Sequence, residues 1–254
     1  TTDGQHYYVS STSSMIFKFD INGQLIESFN IPGLGSVKGM AFEPNEGYFY
    51  CAVGTNKVFI ANFYSAQMVA VITAPSVISS IAYDYSENGF WGTSNTNDYF
   101  LFSHEGDLIK SFPRTTFFFT QGLSFDGYSP FGPFLWMICR QNEVTTLVKL
   151  QINSGHPLFF TEISSLTGFS GDPAGLFAGC GLYEENIITL GGLLGQDSLF
   201  GLELWTCDSI LNRHFVPPAN LLGCNLLRNN EQLRYLPYYG GDTISAADTI
   251  DFYA

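Results

Sequence analysis

The sequence predicts an all-β protein, a β-propeller built from four-stranded antiparallel blades. Three observations predict this fold: a repeat of about 41 residues, short alternating strands between tight-turn signals, and a composition with 16% aromatic and 13% charged residues. A single four-stranded sheet cannot bury both of its faces, but several such sheets arranged around an axis cover one another. Helical repeats of similar length need apolar residues at a helical spacing, and the aromatic and alternating runs of this sequence do not show it.

A five-residue pattern of small, aliphatic, small, aromatic and acidic residues marks the head of each repeat. It occurs at residues 39–43, 80–84 and 122–126, so its acidic residues recur every 41 or 42 residues. Asp3 lies one period before Glu43. A second element, Gly-Xaa-Leu-Ile-Xaa-Ser-Phe, recurs in phase at residues 23–29 and 106–112. Its opening Asn22-Gly23 and Glu105-Gly106 pairs predict hairpin turns, and the alternation in 16–20 predicts a strand before the first of them.

The number of blades follows from the spacing of these heads. Heads near Asp3, Glu43, Asp84, Asp126 and Leu176 predict five regular blades over residues 1–215, the fourth carrying about ten extra residues. Residues 216–254 are about one blade long but less regular. They are predicted to form an irregular last blade or a tail similar to an Ig-like module. Six blades is therefore the preferred count and five is the alternative.

The end of the sequence resembles the repeat head. Thr249, Ile250, Asp251, Phe252 and Tyr253 match the head pattern, and Thr1 stands where such a head would be ending. This segment is a candidate strand that closes its own ring, which removes an exposed sheet edge. Alternatively, it completes the first blade of a neighbouring molecule, a strand donation that propagates into a filament.

Charge and cysteine content bear on the partners and the compartment. The formal net charge is −13, from 10 Lys and Arg against 23 Asp and Glu, which argues against nucleic acid as a partner. No apolar run reaches the roughly 18 residues of a membrane span. The scarcity of Lys and Arg and the Ser/Thr/Asn/Gly-rich loops favour an extracellular or cell-surface protein. The five cysteines form no CxxC pair, and Cys207 and Cys224 could bridge.

The sequence shows no catalytic or metal-binding motif: no nucleophile, general base or metal ligands are clustered in it. The four acidic head residues, Asp3, Glu43, Asp84 and Asp126, recur so regularly that a repeated turn role is favoured, because Asp side chains bond their own backbone in turns. The alternative is a Ca²⁺ site, as in six-bladed propellers that resemble lactonases. Apart from this Ca²⁺, no cofactor is predicted.

Aromatic residues supply the candidate binding site. Tyr128, Phe131 and Phe134 lie in the Pro- and Gly-containing insert of the fourth repeat. We expect them to stack on sugars or to bind a protein partner. Trp91 and Trp136 occupy equivalent repeat positions and are expected to pack between blades.

Part of the chain resembles a known group of proteins. The segments that carry the resemblance are Ile81-Ala82-Tyr83-Asp84, Gly89-Phe90-Trp91, Phe134-Leu135-Trp136, and residues 189–194 and 199–204. Through them, residues 80–205 resemble the propeller region of large secreted bacterial cell-surface proteins that carry Ig-like or BACON-like modules. Residues 237–250 look like the opening strands of those Ig-like modules. The resemblance implies an extracellular, adhesive setting and brings no catalytic residues with it.

Together these observations predict a non-catalytic extracellular module with a structural or interaction role. Adhesion or surface assembly, with self-association or with another surface protein or glycan as partner, is the expected setting. The alternative function is a metal-dependent hydrolase or lactonase of the six-bladed propeller type.

Overall fold

The protein is described here by a computed structural model. Side chains are described as far as Leu204, except those of Gln141 and Phe160. One short helix, α1 (Ile163–Thr167), stands among the described strands, and no described helix has the length and apolarity to cross a membrane. The described residues are 1–11, 14–94, 98–114, 119–129, 132–141, 143–168, 170–182, 187–195, 198–206, 221–229, 232–239 and 242–243.

The strands follow one another as antiparallel meanders, as the alternating pattern predicts. Blade 1 contains β1 (Tyr7–Ser10), β2 (Met15–Phe19) and β3 (Leu25–Asn30). Blade 2 contains β4 (Gly39–Glu43), β5 (Tyr48–Ala52), β6 (Thr55–Asn62) and β7 (Gln67–Ile78). Blade 3 contains β8 (Ser80–Asp84), β9 (Gly89–Thr93), β10 (Tyr99–Phe102) and β11 (Leu108–Phe112). Blade 4 contains β12 (Phe119–Asp126), β13 (Phe134–Gln141), β14 (Val144–Gln151) and β15 (Pro157–Glu162). Blade 5 contains β16 (Pro173–Cys180), β17 (Ile187–Leu194) and β18 (Ser198–Thr206).

Five blades surround the axis, and the propeller prediction is confirmed at its alternative count. The inner strands β4, β8, β12 and β16 succeed one another around the axis, each in contact with the next. Blade 5 then meets blade 1 directly, where the Phe177 and Tyr7 rings lie 5.3 Å apart. The preferred count of six is wrong, because this contact leaves no place for a further blade between them.

A sixth described sheet follows blade 5. It contains β19 (Leu221–Asn229), β20 (Gln232–Tyr239) and β21 (Asp242–Thr243), and β19 lies beside β18. The irregular segment predicted for residues 216–254 therefore includes a three-stranded sheet. Its predicted boundary near residue 215 falls outside the described residues.

The small residue that opens each repeat head is explained by the spacing of the inner strands. A Cβ on Gly39 would stand 2.7 Å from the Ser79 carbonyl oxygen of the next blade, and a Cβ on Gly122 would stand 2.8 Å from the Gly175 backbone. Real Cβ atoms do not approach backbone so closely, so glycine permits the two strands to meet. In blade 3 the equivalent Ser80 instead donates a hydrogen bond to the Thr120 carbonyl oxygen of blade 4, at 3.4 Å.

The acidic head residues connect the inner strand to the turn and to the second strand. Asp84 Oδ1 accepts hydrogen bonds from the Ser86 and Glu87 amides, and its Oδ2 accepts one from Trp91 Nε1 at 2.8 Å. Asp126 repeats this arrangement, with Trp136 Nε1 donating to its Oδ2 at 3.1 Å. The structural turn role favoured by the sequence is therefore observed. We call this arrangement the carboxylate clamp.

The acidic heads of the first two blades bond their own turns in a related way, without an indole. Asp3 accepts hydrogen bonds from the Gln5 and His6 amides and from the Tyr8 hydroxyl. In blade 2 both oxygens of Glu43 accept hydrogen bonds from the amides of its own turn. All four acidic heads are thus built into the backbone of their blades.

The two tryptophans held by clamps form the cores between blades, as their repeat positions predict. Trp91 is fully buried with Leu123, Phe125 and Leu135 of blade 4. Trp136 is buried with Leu176 and other residues of blade 5. Each indole thus donates a hydrogen bond to the acidic residue of its own turn and packs its ring against the next blade.

Replacement of the clamp carboxylate should destabilise the fold. We expect Asp84→Ala to lower the free energy of unfolding by about 2–4 kcal/mol, because the buried Trp91 N–H and two turn amides lose their acceptor. Asp84→Asn should lose less, since the amide oxygen can still accept from the turn. The exposed Asp107, between β10 and β11, provides the control variant Asp107→Ala. Urea denaturation followed by tryptophan fluorescence measures the difference, and equal stabilities of the Asp84→Ala and Asp107→Ala variants would contradict the clamp.

Candidate functional site

The axis of the propeller contains two adjoining cavities. The aliphatic residues at the second head position, Met40, Ile81, Leu123 and Leu176, line both of them and form a belt contributed by four blades. On one side of this belt, near the starts of the inner strands, the cavity has a volume of about 50 Å³. On the other side, near the clamp turns, it has a volume of about 210 Å³. The larger cavity, which we call the turn-end cavity, is the candidate functional site.

Aromatic side chains dominate the turn-end cavity. Its aromatic lining residues come from four blades: Phe42, Tyr83, Tyr85, Phe125, Tyr128 and Phe177. Among the described residues that line it, Asp3 is the single acidic residue, and none is Lys, Arg or His. Cavities that bind small molecules or anchoring side chains combine such apolar walls with a few polar groups.

Tyr85 is the exposed residue among the aromatic side chains of this wall, and it packs beside Tyr128. Tyr85 follows the clamp residue Asp84, is 40% exposed, and lies with its ring centroid 5.1 Å from that of Tyr128. Phe125 supports Tyr85 from the side in an edge contact, with the two centroids 4.9 Å apart. The Tyr85 hydroxyl reaches the turn of blade 4, where a Cβ on Gly127 would stand 2.5 Å from it. The ring of Tyr85 is thus held in place across two blades.

Electrostatics around the phenols is governed by burial and by the clamp carboxylates. Burial raises the pKa of Tyr85, and the neighbouring Tyr128 and Asp126 add to this effect. Burial and the nearby Asp126 raise the pKa of Tyr128 in the same way. Both phenols are therefore neutral at ordinary pH, and they lie within the negative field of the turn.

The aromatic residues that the sequence singled out have different positions in the structure. Tyr128 lines the turn-end cavity. Phe134 is 3% exposed and its ring is covered by Lys149, whose Nζ lies 3.7 Å from the ring centroid, so this ring is not accessible to a ligand. Phe131 and the candidate strand Thr249–Tyr253 lie outside the described residues.

Sequence reasoning missed most of the aromatic lining. Phe42, Tyr83 and Phe125 are the aromatic residues of the repeat heads, and Tyr85 directly follows an acidic head residue. Their common position beside the clamp turns was the signal that could have brought them together, since equivalent positions of successive blades face one axis. Among the aromatic residues that line the cavity, the sequence pattern of the insert singled out Tyr128 alone.

Polar groups near this end of the propeller are engaged in internal contacts. The clamp carboxylates accept hydrogen bonds from turn amides and aromatic side chains, so a metal ion would have to displace those bonds. His104 Nδ1 lies 2.9 Å from the Tyr50 hydroxyl, and its Nε2 lies 3.3 Å from Asn88 Oδ1. His6 Nδ1 lies 3.3 Å from Asp3 Oδ2. Within the described part of the chain, no three His, Cys, Asp or Glu residues form a group that could hold a metal ion.

The cysteines differ in oxidation state. Cys180, at the end of the inner strand of blade 5, is disulfide-bonded. Cys51 and Cys139 are free and buried. Burial raises the pKa of the Cys139 thiol to about 12, which makes it unreactive. The suggested Cys207–Cys224 bridge involves side chains outside the described residues and stays a prediction.

No protein-family profile matches the chain, and no curated protein sequence matches it. Among solved structures, the hydrazine synthase of Kuenenia stuttgartiensis is similar over 94% of this chain, at 12% sequence identity and a TM-score of 0.47. The chain covers 61% of that synthase chain. A similarity at this level transfers neither activity nor substrate.

The phenol of Tyr83 provides a test of the cavity wall. Burial and the Glu43 carboxylate raise its pKa to about 12, from the ordinary value near 10. Because the folded state holds the proton more tightly, the contribution of Tyr83 to stability is complete below about pH 10 and is lost as the pH rises toward 12. The difference in near-ultraviolet phenolate absorbance between the native protein and its Tyr83→Phe variant should therefore develop near pH 12. In urea the same difference should develop near pH 10, and native titration at that lower pH would contradict the buried position.

Proposed function

We propose that this chain is a non-catalytic, extracellular β-propeller module that binds a partner at its turn-end cavity. The proposal rests on the different roles of neighbouring head residues. Their carboxylates are engaged in the blades' own turns, while their aromatic neighbours line an open cavity on the axis. Such a site has walls suited to binding and lacks a free acid–base pair.

The disulfide at Cys180 supports the extracellular part of the proposal. Disulfides form and persist mainly in oxidising compartments. The low content of Lys and Arg, and the resemblance to secreted bacterial cell-surface propellers, point in the same direction. Adhesion or surface assembly, with a protein or glycan partner, fits this setting.

A second role, assembly by strand donation, is favoured by the inner edge of blade 1. Thr1 and Tyr8 exchange two backbone hydrogen bonds, of 3.0 and 2.9 Å, on the side of β1 that faces the axis. The N–H and C=O groups of Ser10, two residues further along, point to the same side. Apart from Thr1 and Thr2, no described residue pairs with β1 there. We propose that residues 249–253 add to this edge, either in their own ring or in a neighbouring molecule.

The metal-dependent hydrolase remains the alternative, and calcium separates it from the proposed module. We expect millimolar CaCl₂ to change the melting temperature by less than about 1 °C relative to EDTA, because the clamp carboxylates already have partners. MgCl₂ at the same ionic strength is the control. A rise of several degrees with Ca²⁺ alone would favour the hydrolase.

Strand donation is tested by altering the tail. We expect deletion of residues 249–254 to leave a folded, soluble monomer and to abolish long assemblies seen by electron microscopy and size-exclusion chromatography. In a strand, Ile250 and Phe252 face one side and Asp251 the other. Ile250→Asp/Phe252→Asp should therefore act like the deletion, whereas Asp251→Asn should assemble normally. A parent protein that stays monomeric at high concentration contradicts donation, and a truncated chain that unfolds indicates closure of its own ring.

A further inference from the structure

The turn-end cavity combines aromatic walls with a negative electrostatic environment. Asp3 lines the cavity itself, and the Glu43 and Asp126 carboxylates directly follow the lining residues Phe42 and Phe125, in the turns beside the cavity. No Lys, Arg or His is among the described residues that line it. The whole chain carries a formal net charge of −13. An anionic ligand would therefore be repelled both at the site and at long range.

An organic cation is complementary both to the aromatic walls of this cavity and to its negative environment. The face of an aromatic ring attracts a cation through its quadrupole, and the attraction is stronger where water is partly excluded. Tyr85 and Tyr128 line the cavity with such rings, tilted by 40° to one another. Carboxylates behind the rings add to the attraction, although Asp3 itself is saturated by the Tyr8 and Tyr64 hydroxyls and the turn amides.

We propose that the turn-end cavity receives a cationic side chain, an arginine or a lysine, from a loop of a partner protein. This inference rests on the proposed function and specifies the chemistry of the partner. A single side chain suits a cavity of about 210 Å³ enclosed by five blades, and the alkyl stem of Arg or Lys packs on the aliphatic belt of Met40, Ile81, Leu123 and Leu176. The acidic surface attracts a basic partner at long range, and the rings then anchor one of its cations.

Short peptides test this chemistry directly. The probe is acetyl-Gly-Ser-Arg-Ser-Gly-amide, with the Lys peptide beside it and with citrulline and norleucine peptides as neutral counterparts. The propeller carries ¹³C-labelled tyrosine, so that NMR reports binding at the cavity itself. We expect the Arg and Lys peptides to shift the Tyr85 and Tyr128 signals and to bind at least about fivefold more tightly than the neutral peptides. Equal binding of arginine and citrulline peptides overturns the inference.

Variants of the wall separate the cavity from the general attraction of an acidic surface. Tyr85→Leu and Tyr128→Leu keep the net charge and should weaken Arg-peptide binding by about tenfold, whereas Tyr85→Phe keeps the ring face and should bind more tightly than Tyr85→Leu. Phe119, which is 55% exposed at the start of β12, provides the control variant Phe119→Leu. Circular dichroism and melting temperature establish that each variant is folded. If both Leu variants bind as tightly as the parent, the cation is held elsewhere and the inference is wrong.

A neutral oligosaccharide panel distinguishes failure of this inference from failure of the proposed function. If sugars shift the Tyr85 and Tyr128 signals and the peptides do not, the chain is still a binding module but its ligand is a glycan, and the cation is wrong. If neither shifts them while Ca²⁺ raises the melting temperature by several degrees, both the inference and the proposed function are wrong.

Discussion

The carboxylate clamp is the interaction on which the rest of this propeller depends. An acidic residue at the end of an inner strand is buried, and a buried carboxylate is stable only when its oxygens have donors. The turn amides supply donors to one oxygen of Asp84 or Asp126, and the indole of the second strand supplies a donor to the other. The clamp therefore fixes the turn, the register of the first two strands and the orientation of the indole together. That indole then fills the space between its own blade and the next.

The same geometry determines what the axis exposes. Ala82 lies opposite Trp91, and Ser124 lies opposite Trp136, so the third head position has to be small where the second strand carries an indole. The first position is small because neighbouring inner strands approach each other there. In blades 2 to 4, only the second and fourth positions are free to be large. They supply three residues of the aliphatic belt, and Phe42, Tyr83 and Phe125 of the aromatic wall, so this part of the turn-end cavity follows from how the blades pack. In blade 5 the large residue is instead the third, Phe177, which lies opposite Gly191.

Much of the fold could be predicted from the sequence, because the head pattern records these local constraints. The pattern identified the blades, the turn role of the acidic residues and the packing of the two tryptophans. The blade count was less accessible, because it depends on whether Phe177 meets Tyr7, a contact between residues far apart in the chain. The sequence also placed the extra residues of the fourth repeat in an exposed aromatic loop. In the structure they lie partly in eight-residue strands such as β13 and β14 and in α1. Phe134 accordingly begins a strand and is buried, while Tyr85, in an ordinary turn, reaches the cavity.

The junction between blades 5 and 1 differs from the others, and this difference bears on the site. Blade 5 has Gly179 where the preceding blades carry their clamp residue, so this position of the inner strand provides no carboxylate. The junction is held by apolar packing of Tyr7, Phe177 and Leu182, and the disulfide at Cys180 ties down the end of the same strand. Ala178, Gly179 and Cys180 also line the turn-end cavity. A large side chain at this point would narrow the cavity. Gly179 thus leaves space on this side of the cavity, and the apolar packing of Tyr7, Phe177 and Leu182 holds the junction beside it.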